Sequence, residues 1–131
     1  MTDQPSLEVF LAGARIDSAV TTLRPDYLAL LIAVDGIVPV QSDDATEALA
    51  RAEAAASDPL ANGPAEEVPH VAAWHEVYRA FGVEPQRIRN SLEALLRRAS
   101  TGRPRVNGLT DIYNAISVIH PVPPGGKDLD G

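Results

Sequence analysis

Six arginines, Arg87, Arg89, Arg97, Arg98, Arg103 and Arg105, fall within residues 87–105, where the only acid is Glu93. Guanidinium groups at that density suit a phosphate backbone or another anionic partner. The alternative is a set of solvated helix faces and loops. His70 and His75 are five apart on one helix-forming stretch, so their side chains diverge and make a poor metal pair. Glu66 with Glu67, and Asp43 with Asp44, are adjacent carboxylates in loop-like contexts and read as solvated charge. The chain has no glycine-rich phosphate loop, no nucleophile elbow and no His-Glu-x-x-His pair. Residue patterns therefore name no catalytic group, and neither a metal nor a cofactor is expected.

The distribution of charge narrows the choice of partner. The net charge of -7 opposes wholesale phosphate binding, because nucleic-acid affinity rests on lysine and arginine displacing counterions. The acidity is concentrated in residues 1–70, net -9, whereas residues 71–131 are net +2. An anionic partner is thus expected on the second half. With 131 residues, one compact domain over residues 1–131 can bury a core without staples. The absence of cysteine excludes disulfides and thiolate-bound zinc. No apolar run reaches membrane-span length, and the opening Met-Thr-Asp-Gln-Pro lacks the features of a secretory signal, so a cytoplasmic protein with no membrane partner is expected.

The elements that must position these residues follow from periodicity. Residues 7–11 form a short apolar run compatible with a strand. Residues 27–34 form a stronger one, whose continuous apolar character suggests a strand covered on both faces. Alanine-rich residues 45–56 are helical by propensity. Residues 58–69 collect proline, glycine, asparagine and paired glutamates, the composition of a flexible loop. Val71, Trp74, Tyr78 and Phe81 recur at helical spacing before Gly82, and predict a core-facing helix over 70–81. Asn90 with Glu93 three residues on resembles a capping box ahead of Leu92, Leu95, Leu96 and Ala99, with Gly102 closing the helix and Arg97 and Arg98 turned outward. A further helix over 110–119 buries Ile112, Ala115, Ile116 and Ile119 and puts Asp111 and Asn114 on another face. The expected fold is α+β, a small mixed sheet with about four helices packed on one face. The chain leaves through Pro121, Pro123, Pro124, Gly125 and Gly126, an extended ending unusual for a compact domain.

Two stretches carry a family resemblance. Asn107-Gly-Leu-Thr-Asp-Ile-Tyr-Asn114, continuing to the proline turn at Pro123 and to Asp128-Leu-Asp130, resembles the core segment of the B3/B4 (tRNA-binding and editing) domain of the phenylalanyl-tRNA synthetase beta subunit. Residues 70–96 are similar to the free-standing members of that family in particular. The resemblance spans roughly residues 70–130, and the first 60 residues agree only in the order of strand and helix. It implies a B3/B4-like α+β domain, of which this chain carries only the first part, incomplete at its C-terminus.

The resemblance also implies a task, the recognition of an aminoacylated tRNA end and hydrolysis of a wrong amino acid, typically tyrosine, from it. The enzyme class by resemblance is aminoacyl-tRNA deacylase. Asn107, Asp111 and Asn114, with the backbone of Gly125 and Gly126, are the implied substrate pocket, and Arg97, Arg98, Arg103 and Arg105 the tRNA contacts. The open alternative for Asp111 and Asn114 is that they tie down the proline turn through backbone hydrogen bonds. Two departures matter. Gly125 stands where the synthetases have a histidine, and their pocket glutamate lies beyond Gly131, so this chain alone is expected to be inactive. A homodimer or a companion fragment completing the domain is expected. The rival functions are a small-molecule binder for an amino acid or peptide, and a non-catalytic fragment that needs a second chain.

Overall fold

Amphipathic periodicity and capping, rather than strand pairing, organise this chain. The computed structural model describes residues 4–85, 87–99 and 105–129. It falls into two compact units, Met1–Val38 with Lys127–Gly131, and Pro39–Gly126. Each is taken by itself.

In the first unit, α1 (Gln4–Ala12) and α2 (Ser18–Leu23) are short helices. Asp17 caps α2 by accepting from the Ala19 N–H at 2.8 Å. Leu7 is buried, while Val9 and Phe10 on the same helix are exposed. After α2, Arg24 grips Asp26 through Nε at 2.7 Å, and this hydrogen bond holds the Asp26 carboxyl below its ordinary range. Residues 27–34 then run without regular secondary structure.

In the second unit, α3 (Ser42–Ala61) buries Ala45, Leu49, Ala52 and Ala56, spaced four, three and four apart. That stripe is narrow because its residues are small, and α6 (Gly108–Ile119) lies against it, burying Ala115, Ser117 and Val118. A 3-10 turn (Ala65–Glu67) leads into α4 (Pro69–Ala80), and α5 (Ser91–Arg98) completes the unit. The core joins Leu49, Ala52, Ala56, Ala65, Val68, Val71, Leu92, Leu96, Ala115 and Val118. Gly82, at φ 84°, ends α4: its N–H reaches the Arg79 carbonyl, and that of Val83 reaches Tyr78. This paired closure needs a left-handed residue, which glycine supplies without a Cβ penalty.

The expected α+β fold is overturned. Among the described residues there is no strand and no sheet, and the ordered elements are helices. Residues 7–11 lie within α1, where Leu7 is the buried position. Residues 27–34 have strand-like composition, but a strand exists only when a neighbour takes its N–H and C=O groups, and no described segment does so. Their side chains are largely left open, with Leu28 91%, Leu30 85%, Leu31 56%, Ile32 74% and Val34 56% exposed.

Three finer expectations are also corrected. Residues 58–69 are not a plain loop, since α3 continues through Pro59 to Ala61 and Ala65 and Val68 enter the core. On α4 the fully buried line is Val71 and His75; Trp74 and Tyr78 are half-buried and Phe81 is 53% exposed. On α6, Ile116 is 48% exposed and its neighbour Ser117 is buried, because α3 meets the face carrying Asp111, Ala115 and Val118. Gly102 lies outside the described residues.

Candidate functional site

Helix α6 begins at a cap that the sequence dictates. Asn107 is extended, and its Oδ1 accepts from the Thr110 N–H at 2.9 Å, satisfying a first-turn donor. Gly108 follows because nothing larger fits: a Cβ there would lie 2.7 Å from the Val40 Cβ. One turn on, Asp111 is 2% exposed, and both of its carboxylate oxygens are engaged. Oδ1 accepts from the Val106 N–H at 3.0 Å and Oδ2 from Arg105 Nε at 2.8 Å. Arg105 also donates from Nη1 to Thr46 Oγ1 at 3.0 Å, which ties the segment before α6 to α3. Burial pushes the Asp111 carboxyl up, but the Val106 N–H and the Arg105 guanidinium outweigh it and hold it below the usual carboxylate range.

The remaining implied pocket residues are placed differently. Asn114 shares the face of Asn107 and Asp111, is half-buried, and makes no side-chain hydrogen bond among the described residues. Gly125 borders open space. Gly126 comes against the Tyr113 ring, where a Cβ would sit 3.3 Å from Cε2. Two bonds hold the proline turn: Ser117 Oγ donates to the Val122 carbonyl, and Ser91 Oγ donates to the Pro124 carbonyl at 3.2 Å. The tie at this turn therefore comes from serines, while Asp111 ties the segment on the other side of α6. Among the implied set, Asn107 and Asp111 are engaged in building α6, and Asn114 retains an open amide.

The arginine window is only partly available. Arg97 donates to Glu93 Oε2 at 3.0 Å and pairs with Glu66. Arg89 lies 3.4 Å from the same Glu93 oxygen. Arg105 is committed to Asp111 and Thr46, and Arg98 is exposed on the last turn of α5 and has an interaction of its own. Arg103 lies outside the described residues.

Glu93 is the feature that sequence reading missed. It is 1% exposed, and its Oε1 stands 2.6 Å from His75 Nε2. Its backbone N–H receives the expected cap from Asn90 Oδ1 at 2.9 Å, but its carboxylate turns into this cluster instead of closing a capping box. Asn90 Nδ2 is left buried with no partner. Burial, and then the Glu93 charge, raise the Tyr78 hydroxyl above its usual range. The spacing of Arg89, Glu93 and Arg97, four apart on each side, was the available signal for a charged line running into α5. The cluster clasps α4, α5 and the 3-10 turn. With Glu93 1% and His75 8% exposed, the pair is shut away from solvent, which suits a structural clasp.

Among the described residues no three His, Cys, Asp or Glu side chains gather where a metal ion could be held, and no helix is long and apolar enough to cross a membrane. Comparison with protein-family models, with curated proteins and with solved structures finds no match.

Proposed function

We propose that this chain is a non-catalytic binding module for the aminoacylated end of tRNA, related to the editing domain that its residues 70–130 resemble. The observation that supports the reading most is the gathering on α6 of the residues implied by that resemblance. Asn107, Asp111 and Asn114 lie along one face, and Gly126 returns against Tyr113. Asn107 and Asp111 make the helix end rigid, and a rigid support is what a polar recognition group needs. Asn114, with its amide open, is the group offered to ligand, and the open space at Gly125 admits close approach to backbone amides.

Phosphate contact falls to the α5 end, with Arg98 and the outward parts of Arg97 and Arg105. Arg97 and Arg105 have internal partners, so tRNA competes with those carboxylates and binding is weak and salt-sensitive. Hydrolysis is not expected of this chain, because Gly125 carries no group to move a proton where the related synthetases have histidine. The test is a gel-shift titration with bulk tRNA at increasing salt. Binding that weakens steeply with salt supports the reading; no shift at low salt removes it.

A second reading, a chain completed by another polypeptide, is favoured by the exposed residues 28, 30, 32 and 34. Leu31, Ile37 and Val38 are exposed as well, which extends the open apolar run to residue 38. An extended apolar segment with free backbone groups takes a partner by strand addition, from a second copy or a companion fragment. Light scattering of the purified chain across a concentration series distinguishes a monomer from either assembly.

A further inference from the structure

The chain contains the dipeptide Asn-Gly twice, at Asn62-Gly63 after the end of α3 and at Asn107-Gly108 at the start of α6. From that contrast we infer that Asn62 is a site of spontaneous covalent modification, converting to aspartate and isoaspartate in the folded protein, while Asn107 is protected. This goes beyond the binding reading and does not depend on it.

The reaction needs the backbone nitrogen of the following residue to reach the side-chain carbonyl carbon of asparagine. The Gly63 nitrogen loses its proton and bonds to the Asn62 Cγ; the Cγ–Nδ2 bond breaks and ammonia leaves. Water then opens the resulting succinimide at either carbonyl, giving aspartate or isoaspartate, with no change of oxidation state. Glycine favours the ring because no Cβ crowds the attacking nitrogen.

Asn62 meets these requirements. It follows the last turn of α3, is exposed, and its side chain makes no hydrogen bond among the described residues. Its own N–H reaches the Asp58 carbonyl at a long 3.3 Å, and among the described residues the Gly63 N–H makes no backbone hydrogen bond. A helix end held this loosely opens at small cost, letting ψ of Asn62 leave its value of -10°. The Glu67 side chain reaches over Gly63, where an added Cβ would meet its carboxylate.

Asn107 is exposed as well, but its side chain and the following backbone are both held. Its side-chain oxygen holds the Thr110 N–H at 2.9 Å, and Gly108 is the first residue of α6, packed under Val40. Ring closure there requires the cap and the first turn of α6 to open.

Modification at position 62 places a new carboxylate at the C-terminal end of α3, beside Asp58 and Glu67. A negative charge at that end opposes the helix dipole.

The experiment is incubation of the whole chain at mildly alkaline pH and raised temperature, followed by peptide mapping that separates Asn, Asp and isoAsp, with a parallel sample unfolded in urea. In the folded protein position 62 should convert faster than position 107 by about tenfold or more, since Asn107 reacts only through local opening. In urea the two rates should converge. Gly63→Ala should slow conversion at 62 and leave 107 unchanged; the added Cβ meets only the movable end of Glu67. Equal rates at the two positions in the folded chain, no conversion at 62, or indifference to Gly63→Ala would each overturn the inference.

Discussion

His75 on α4 and Glu93 on α5 meet at 2.6 Å, with Glu93 1% and His75 8% exposed. The pair is the centre of a clasp, since Arg97 joins the same carboxylate from one turn along α5 and carries it on to Glu66 in the 3-10 turn. A buried carboxylate with these partners is held in place, and removing any one of them leaves polar groups that water cannot reach.

Glu93→Ala should therefore destabilise the chain by about 2–4 kcal/mol, by stranding His75 and releasing Arg97. Arg97→Ala should cost less, about 1–2 kcal/mol, because His75 and Arg89 remain beside Glu93. Urea unfolding of both variants and the double variant tests the account. Costs that simply add would show that the two residues do not share one network.

Asp111 gives a dependence on pH. Its carboxyl is held below the ordinary range in the folded chain, so it contributes stability above its unfolded value, near pH 4, and loses it as pH falls through the lower folded value. Asp111→Asn should lower stability by about 1–3 kcal/mol at neutral pH, through Arg105 and the Val106 N–H. Thermal midpoints of the two proteins should converge as pH drops below about 4. A gap that persists unchanged in acid would contradict the ionic role. Asp26, also held low by Arg24, titrates in both proteins and cancels from the comparison.

Self-association, where it occurs, should depend on the open apolar side chains of residues 28–34. Leu30→Lys with Ile32→Lys should lower the apparent mass in light scattering without shifting the unfolding of residues 39–126. A concentration-dependent mass that survives both changes would move the interface elsewhere.

How far the sequence carried is best seen residue by residue. The helices over 70–81 and 110–119, the closure at Gly82 and the cap at Asn90 were legible, because 3.6-residue periodicity and cap chemistry are local. The lack of a sheet among the described residues was not, because residues 27–34 have strand composition while pairing depends on a partner that composition does not reveal. Asn107, Asp111 and Asn114 were singled out as one group, but their division of labour follows from Arg105, Val106 and Thr46, which only the fold brings together. His75 and Glu93 are eighteen residues apart, and nothing local links an apolar-stripe histidine to a presumed capping glutamate.

The most direct test of the proposed function is equilibrium binding of tRNA charged with tyrosine to the full chain, compared with Asn114→Ala and with uncharged tRNA. Asn114 is half-buried and makes no side-chain hydrogen bond among the described residues, so under the proposed function its loss should weaken ligand binding and leave the core intact. The account predicts tighter binding of the charged tRNA, a loss of about tenfold on Asn114→Ala, retention of the salt slope in that variant, and no ester hydrolysis above the uncatalysed rate. Equal binding of charged and uncharged tRNA by both proteins, or no binding at low salt, would contradict it.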